Sequence, residues 1–203
     1  LENMPKTMKT TATDSESGTH EGQAREELTI VDTIAYTGLI PGDEYTVSGI
    51  LMDKATGDPA LDDAGSEITA STTFTAEESC GTVNVTFTFA GASLAGKSLV
   101  AFETMEFEGA EYMVHADIGD VEQTVAIVDI ATQARDAETG TNVGTIGEHV
   151  KLIDTISYTE LTPGNTYKLF TMLMDKATGA NGITQEKYVT ITVYKRDIED
   201  ARA

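Results

Sequence analysis

His115 and Gln123 stand eight residues apart (123 − 115) in the stretch HADIGDVEQTV, with Asp117 and Asp120 between them. The stretch reads as a β-strand, and an ordinary sandwich strand has no need of an imidazole and a carboxamide at fixed spacing. Strand periodicity supplies companions elsewhere in the chain, because alternate residues share a face. In MKTTATD, Met8, Thr10 and Ala12 lie together, so apolar neighbours carry Thr10 inward. In TIVDTIAY, Asp32 shares a row with Ile30, Ile34 and Tyr36, a costly place for a carboxylate without a partner. In LVAFETM, Glu103 falls in line with Leu99, Ala101 and Met105. A hydroxyl, two acids, an imidazole and a carboxamide are the parts of nucleophilic and proton-transfer chemistry. Taken singly, each has a plainer reading. Thr10 is then a strand residue, each acid a satisfied polar group, His115 a strand end and Gln123 a solvated side chain.

The elements that would position these groups are short strands. Thr and Val are abundant, and β-branched side chains suit a pleated, half-buried surface. LTIVDTIAYTGL and EYTVSGILMD alternate apolar and polar residues and are separated by IPGD, a turn with Pro41 at its first central position. SEITASTTFTA, GTVNVTFTF and SLVAFETME are further alternating runs, and GASLAG reads as a brief helical turn. No long amphipathic helix is evident. Short strands with a turn signal every dozen residues or so indicate an antiparallel sandwich.

A repeat organises the chain. TTATDSESGT at Thr10–Thr19 aligns without gaps on TQARDAETGT at Thr132–Thr141, an offset of 122 (132 − 10). VDTIAYTGLIPGDEY then matches IDTISYTELTPGNTY, and LMDKATG is identical at Leu51–Gly57 and Leu173–Gly179. A complete unit is therefore expected over residues 7–126 and an incomplete second one over 127–203, with a divergent tail after Gly179. In the second unit Thr132 and Asp154 stand where Thr10 and Asp32 stand in the first, but no matching Glu, His or Gln follows. Gln185 is an available amide, yet its surroundings do not repeat the first unit's closing stretch.

Composition narrows the function classes. The net charge of −21, from 34 acidic and 13 basic residues, argues against nucleic acid, which demands a basic footprint. The single cysteine, Cys80, excludes an intrachain disulfide. No apolar run is long enough to span a membrane. LENMPKTMKTT lacks the apolar region of a signal peptide, so export would make this chain part of something larger. DSESGTHEG gathers Asp14, Glu16, His20 and Glu21 but lacks the spacing of a calcium loop. No metal or other cofactor is expected. His20 reads as a loop residue, and Asp117 and Asp120 as turn-holding or solvated.

The first unit resembles the VaFE-repeat family, also described as T-Q ester-bond domains, of Gram-positive surface adhesins and pilus-like stalks. LVAFE at Leu99–Glu103 contains the residues that name the family, and HADIGDVEQTV is similar to its closing strand. The likeness covers nearly all of residues 7–126 and, less fully, 127–179. It implies an all-β, immunoglobulin-like (CnaB-like) antiparallel β-sandwich, with one complete module and a partial second. It implies an intramolecular ester between Thr10 and Gln123, formed with loss of ammonia and assisted by His115, Asp32 and Glu103. Either His115 or Asp32 would be the immediate base, and the two acids would share a proton.

On that resemblance the expected function is a self-crosslinked stalk module of a bacterial surface protein. Such a protein turns over once on itself and is no enzyme towards external substrates. Its partners would be neighbouring modules of the same protein and a host surface ligand, with neither nucleic acid nor membrane insertion. Its location would be extracellular, on the cell wall. Two other classes stay open from the residues alone: a ligand- or glycan-binding module using sandwich loops, and an amidase using the same side chains.

Overall fold

The computed structural model describes residues 4–180 and 187–193. Gln185 and the residues after Val193 lie outside them. The strands are β1 (Thr7–Asp14), β2 (Glu21–Gln23), β3 (Leu28–Thr37), β4 (Glu44–Asp53), β5 (Thr69–Thr75) and β6 (Cys80–Phe89). They continue with β7 (Ser98–Phe107), β8 (Ala110–His115), β9 (Thr124–Asp136), β10 (Leu152–Thr159), β11 (Thr166–Thr171) and β12 (Lys187–Thr192). A single turn of 3-10 helix at Ala92–Leu94 precedes β7, within GASLAG. The chain divides into two compact units between Glu160 and Leu161.

The first unit is all-β. One sheet has the order β1-β3-β6 and the other β10-β9-β7-β4-β5, with β8 added on β7. Every pair is antiparallel except β2, which runs parallel to the start of β9. The alternation expected from sequence is seen directly in burial. Ile30, Asp32, Ile34 and Tyr36 are buried along β3, and Leu99, Ala101, Glu103 and Met105 along β7. These rows form a shared core with Leu51, Val85, Phe87 and Ile127, all withdrawn from water. Burying each such side chain contributes about 1.5–3 kcal/mol.

Turn chemistry fixes the strand registers. In IPGD the Asp43 amide donates to the Ile40 carbonyl at 3.2 Å while Gly42 takes φ +92°, the geometry of a type II turn with Pro41 leading. The β7–β8 hairpin closes through Glu108 and Gly109 with φ values of 52° and 77°. Two successive positive φ values match the right-handed twist of the flanking strands. That hairpin sets Glu103 opposite His115, and on the other side of β7 Glu103 lies opposite Gly49 of β4. At another part of the sandwich Tyr36, Tyr45, Phe74, Phe107 and Tyr112 stack through ring contacts of 5.1–6.1 Å.

The second copy of the repeat reproduces the first strand pair. Thr10 faces Ile34 and Ala12 faces Asp32 between β1 and β3. Thr132 faces Ile156 and Ala134 faces Asp154 between β9 and β10. Thr10 and Asp32 are buried, whereas Thr132 and Asp154 are exposed. The turn after each first strand is also built alike. Asp14 accepts the Ser17 amide at 2.8 Å, and Asp136 accepts the Glu138 and Thr139 amides at 2.9 and 2.8 Å. The second unit, taken by itself, holds the antiparallel pair of β11 and β12, in which Thr166 lies opposite Thr192.

Candidate functional site

The two most deeply buried carboxyl groups come one from each sheet. Asp32 comes from β3 and Glu103 from β7, and both are essentially inaccessible to water. Gln123, just before β9, is also fully buried. Its backbone carbonyl accepts from the Ala101 amide at 3.0 Å, which holds it beside β7. Its side-chain Nε2 donates to Asp32 Oδ1 at 3.1 Å, so the carboxamide reaches across the sandwich. Thr10 on β1 is buried, and two residues on the Ala12 amide donates to the Glu122 carbonyl at 2.8 Å. β1 therefore runs alongside the turn that carries Gln123.

These four residues hold nearly all of the unsatisfied buried polar atoms among the described residues. Thr10 Oγ1, Asp32 Oδ2, both Glu103 oxygens and Gln123 Oε1 have no hydrogen-bond partner, and His20 Nδ1 is the other such atom. Native interiors rarely leave polar groups unpaired, and each costs roughly 1–3 kcal/mol. Two facing carboxylates have no donor to offer one another; a single proton between them supplies one. Burial, reinforced by the neighbouring Asp32 carboxyl and the charge of Asp120, pushes the Glu103 carboxyl up to about 11. Glu103 thus carries the proton at neutral pH, and two close acids in a dry site cannot both ionise cheaply.

His115 ends β8 and is partly exposed. Its Nε2 lies 2.8 Å from Asp120 Oδ2. The other Asp120 oxygen accepts the Glu122 amide at 2.9 Å, and Thr124 Oγ1 donates to the Asp120 carbonyl at 2.6 Å. Burial works against ionisation of Asp120, but His115 and the amides of Glu122 and Gln123 hold its carboxyl below the usual range.

This arrangement corrects one reading and extends another. HADIGDVEQTV is not one strand: β8 stops at His115, residues 116–123 form a turn, and β9 starts at Thr124. Asp120 holds a turn, one of the two roles expected of it, and in addition pairs with His115. The missed signal was the five-residue step from His115 to Asp120 (120 − 115), which only a turn, not a strand, converts into a contact. Asp117 holds the same turn: its side chain accepts the Gly119 amide at 2.9 Å and its carbonyl the Asp120 amide at 3.1 Å.

The remaining candidates stand apart from this cluster. Thr132 and Asp154 are exposed on their own strand pair and meet no Glu–His–Gln set among the described residues. His20 pairs with Glu122 at 3.7 Å on the surface. Among the described residues, no three His, Cys, Asp or Glu side chains are grouped to hold a metal ion. No described helix is long and apolar enough to cross a membrane.

The two sheets of the first unit thus bury a threonine, a glutamine and two acids between them, with Gln123 of one sheet bonded to Asp32 of the other. The chain belongs to the T-Q ester bond containing domain family, which matches residues 6–127 and again 128–200. No curated protein matched the chain. Among solved structures, it is similar to a bacterial adhesin from Mobiluncus mulieris containing intramolecular disulfide, isopeptide and ester bond cross-links, in two crystal forms. The identity is 14% in both, with TM-scores of 0.48 and 0.47, covering 92% of this chain and 93% and 94% of those chains.

Proposed function

We propose that the first unit cross-links itself once, through an ester between Thr10 Oγ1 and the side-chain carbonyl carbon of Gln123, and serves as a stalk module of a bacterial surface adhesin. The observation that carries this reading is the buried Gln123 carboxamide. Its nitrogen is held on Asp32 of the facing sheet, its oxygen has no partner, and Glu103 of β7, whose carboxyl is pushed up to about 11, lies in its own sheet.

Threonine is a weak nucleophile and an amide a poor electrophile, so the step needs a base and a polarised carbonyl. Asp120 fixes His115 through Nε2, which leaves Nδ1 to take the Thr10 proton. The Oγ1–Cδ bond forms, and the Glu103 O–H donates to the oxyanion developing on Oε1. The Cδ–Nε2 bond then breaks, and the departing nitrogen takes the proton from His115 and leaves as ammonia. Asp32, already bound to that nitrogen, steers its departure. Folding supplies the proximity, which in preorganised systems is equivalent to ~10⁵–10⁸ M. The buried site keeps water from the product.

The reaction is a single turnover within one chain, with no external substrate. As a stalk module the protein would neighbour further modules of the same surface protein at the cell wall, presenting a host-binding region outward. Its acidic surface keeps crowded copies soluble. Intact-mass measurement is the test. The folded chain should weigh about 17 Da less than its sequence, one ammonia, and Thr10→Ala should weigh what its sequence dictates. Full sequence mass in folded wild-type protein would overturn the proposal.

A further inference from the structure

Glycine inside a strand weakens it and marks a place where another group comes close. Gly49 is such a residue. It lies in the middle of β4, buried, directly opposite Glu103 on one side and Ala70 on the other. A Cβ built on Gly49 would stand 2.5 Å from Phe87 Cζ and 3.3 Å from Val85 Cγ1. Real contacts of that kind are not that short, so one partner would have to move. Phe87 and Val85 belong to β6 in the facing sheet, and both are fully buried. Val85 is the cross-strand neighbour of Asp32, and Phe87 that of Ile30.

The ring of Phe87 thus crosses the sandwich and rests on the bare backbone of Gly49. One step along each sheet from this contact, Asp32 and Glu103 must meet. We propose that Gly49 is a positioning residue for the cross-linking reaction: with no side chain, it lets Phe87 set the local distance between the sheets at which Asp32 and Glu103 share their proton in a dry space. A methyl group there would wedge Phe87 and Val85 away from β4. That parts the two acids, which sit on opposite sheets, and admits water beside them. Close-packed interiors transmit such a change rather than absorbing it, and a displacement of about 1 Å at a reacting group can cost about 10²-fold in rate. This inference rests on the ester reading given above and concerns what sets its rate.

The experiment follows ammonia loss by intact mass over time in the full chain made by cell-free synthesis and quenched in acid, from pH 5 to pH 10. Gly49→Ala should react about ten- to a hundredfold more slowly than wild type. Its rate should also begin to fall at lower pH on the alkaline side, because a wetter Glu103 gives up its proton sooner. A merely structural loss would slow all pH values alike. Gly49→Ala/Phe87→Leu, in which the shorter side chain makes room for the methyl, should return to near the wild-type rate and profile. Wild-type speed and profile in Gly49→Ala overturns the inference. So does a folded double variant that remains more than tenfold slow, which decides the matter if Gly49→Ala fails to fold. Absence of the mass loss in wild type would instead refute the ester reading itself.

Discussion

Glu103→Gln separates the role of the shared proton from that of shape. The substitution keeps the size of the side chain and its ability to donate to Asp32, but removes the titrating group. In the uncrosslinked fold, obtained with Thr10→Ala, Glu103 keeps its proton up to about 11, whereas its ordinary value is 4.5. Between those values the folded state holds a proton that the unfolded chain has lost. Raising the pH therefore favours unfolding. The contribution is fully present below about 4.5 and is lost as pH rises towards 11. One such group changes stability by roughly 1 kcal/mol per pH unit, so from pH 5 to pH 9 the loss is on the order of a few kcal/mol. That is a large part of a domain's usual 5–15 kcal/mol. Urea unfolding of Thr10→Ala should show this decline, and Thr10→Ala/Glu103→Gln should be nearly flat over the same range. With Thr10 present, Glu103→Gln should slow ammonia loss by about 10²-fold or more, because the carboxamide is a far weaker acid than the Glu103 carboxyl and stabilises the developing oxyanion less, as for other groups that assist general acid–base catalysis. Equal pH dependence with and without Glu103, or cross-linking at wild-type speed in Glu103→Gln, would refute the shared-proton account.

Other outcomes follow from the same geometry. Asp120→Asn should slow cross-linking by about 10²-fold or more, as for other groups that assist general acid–base catalysis, while the circular dichroism spectrum stays unchanged. Thr10→Ala should melt at least ~10 °C below wild type in calorimetry, because the ester closes a loop of 113 residues (123 − 10) and removes about 5 kcal/mol of unfolded-state entropy in the chain model. Thr132→Ala should leave the mass loss at one ammonia, since Thr132 and Asp154 are exposed without an acyl partner among the described residues; mass spectrometry showing two losses in wild type and one in the variant would contradict this.

Much of the interior could be read from alternation. Asp32 and Glu103 declared themselves because each interrupts an apolar row, and period-two geometry leaves a side chain only two faces to choose from. Thr10 followed from Met8 and Ala12. Asp120 could not be found that way. Its contact with His115 depends on a turn in which one carboxylate oxygen caps a backbone amide and the other meets the ring, and turn geometry has no period. Gly49 was silent for a related reason. Its meaning lies in a ring approaching from the facing sheet, and the pairing of faces across a sandwich is set by the whole core. The repeat was legible as a repeat, and its strand pairing copies the first with the same register. What differs is burial, which depends on strands that the second copy's sequence does not supply between Ile127 and Gly179.

Peptide mapping tests the central claim most directly. Digestion of the folded wild-type chain, followed by tandem mass spectrometry, should yield one species in which the peptide containing Thr10 is joined to the peptide containing Gln123. It should weigh about 17 Da less than the sum of the two and fall apart into acid and alcohol on mild alkaline hydrolysis. Recovery of both peptides separately and at full mass would contradict it.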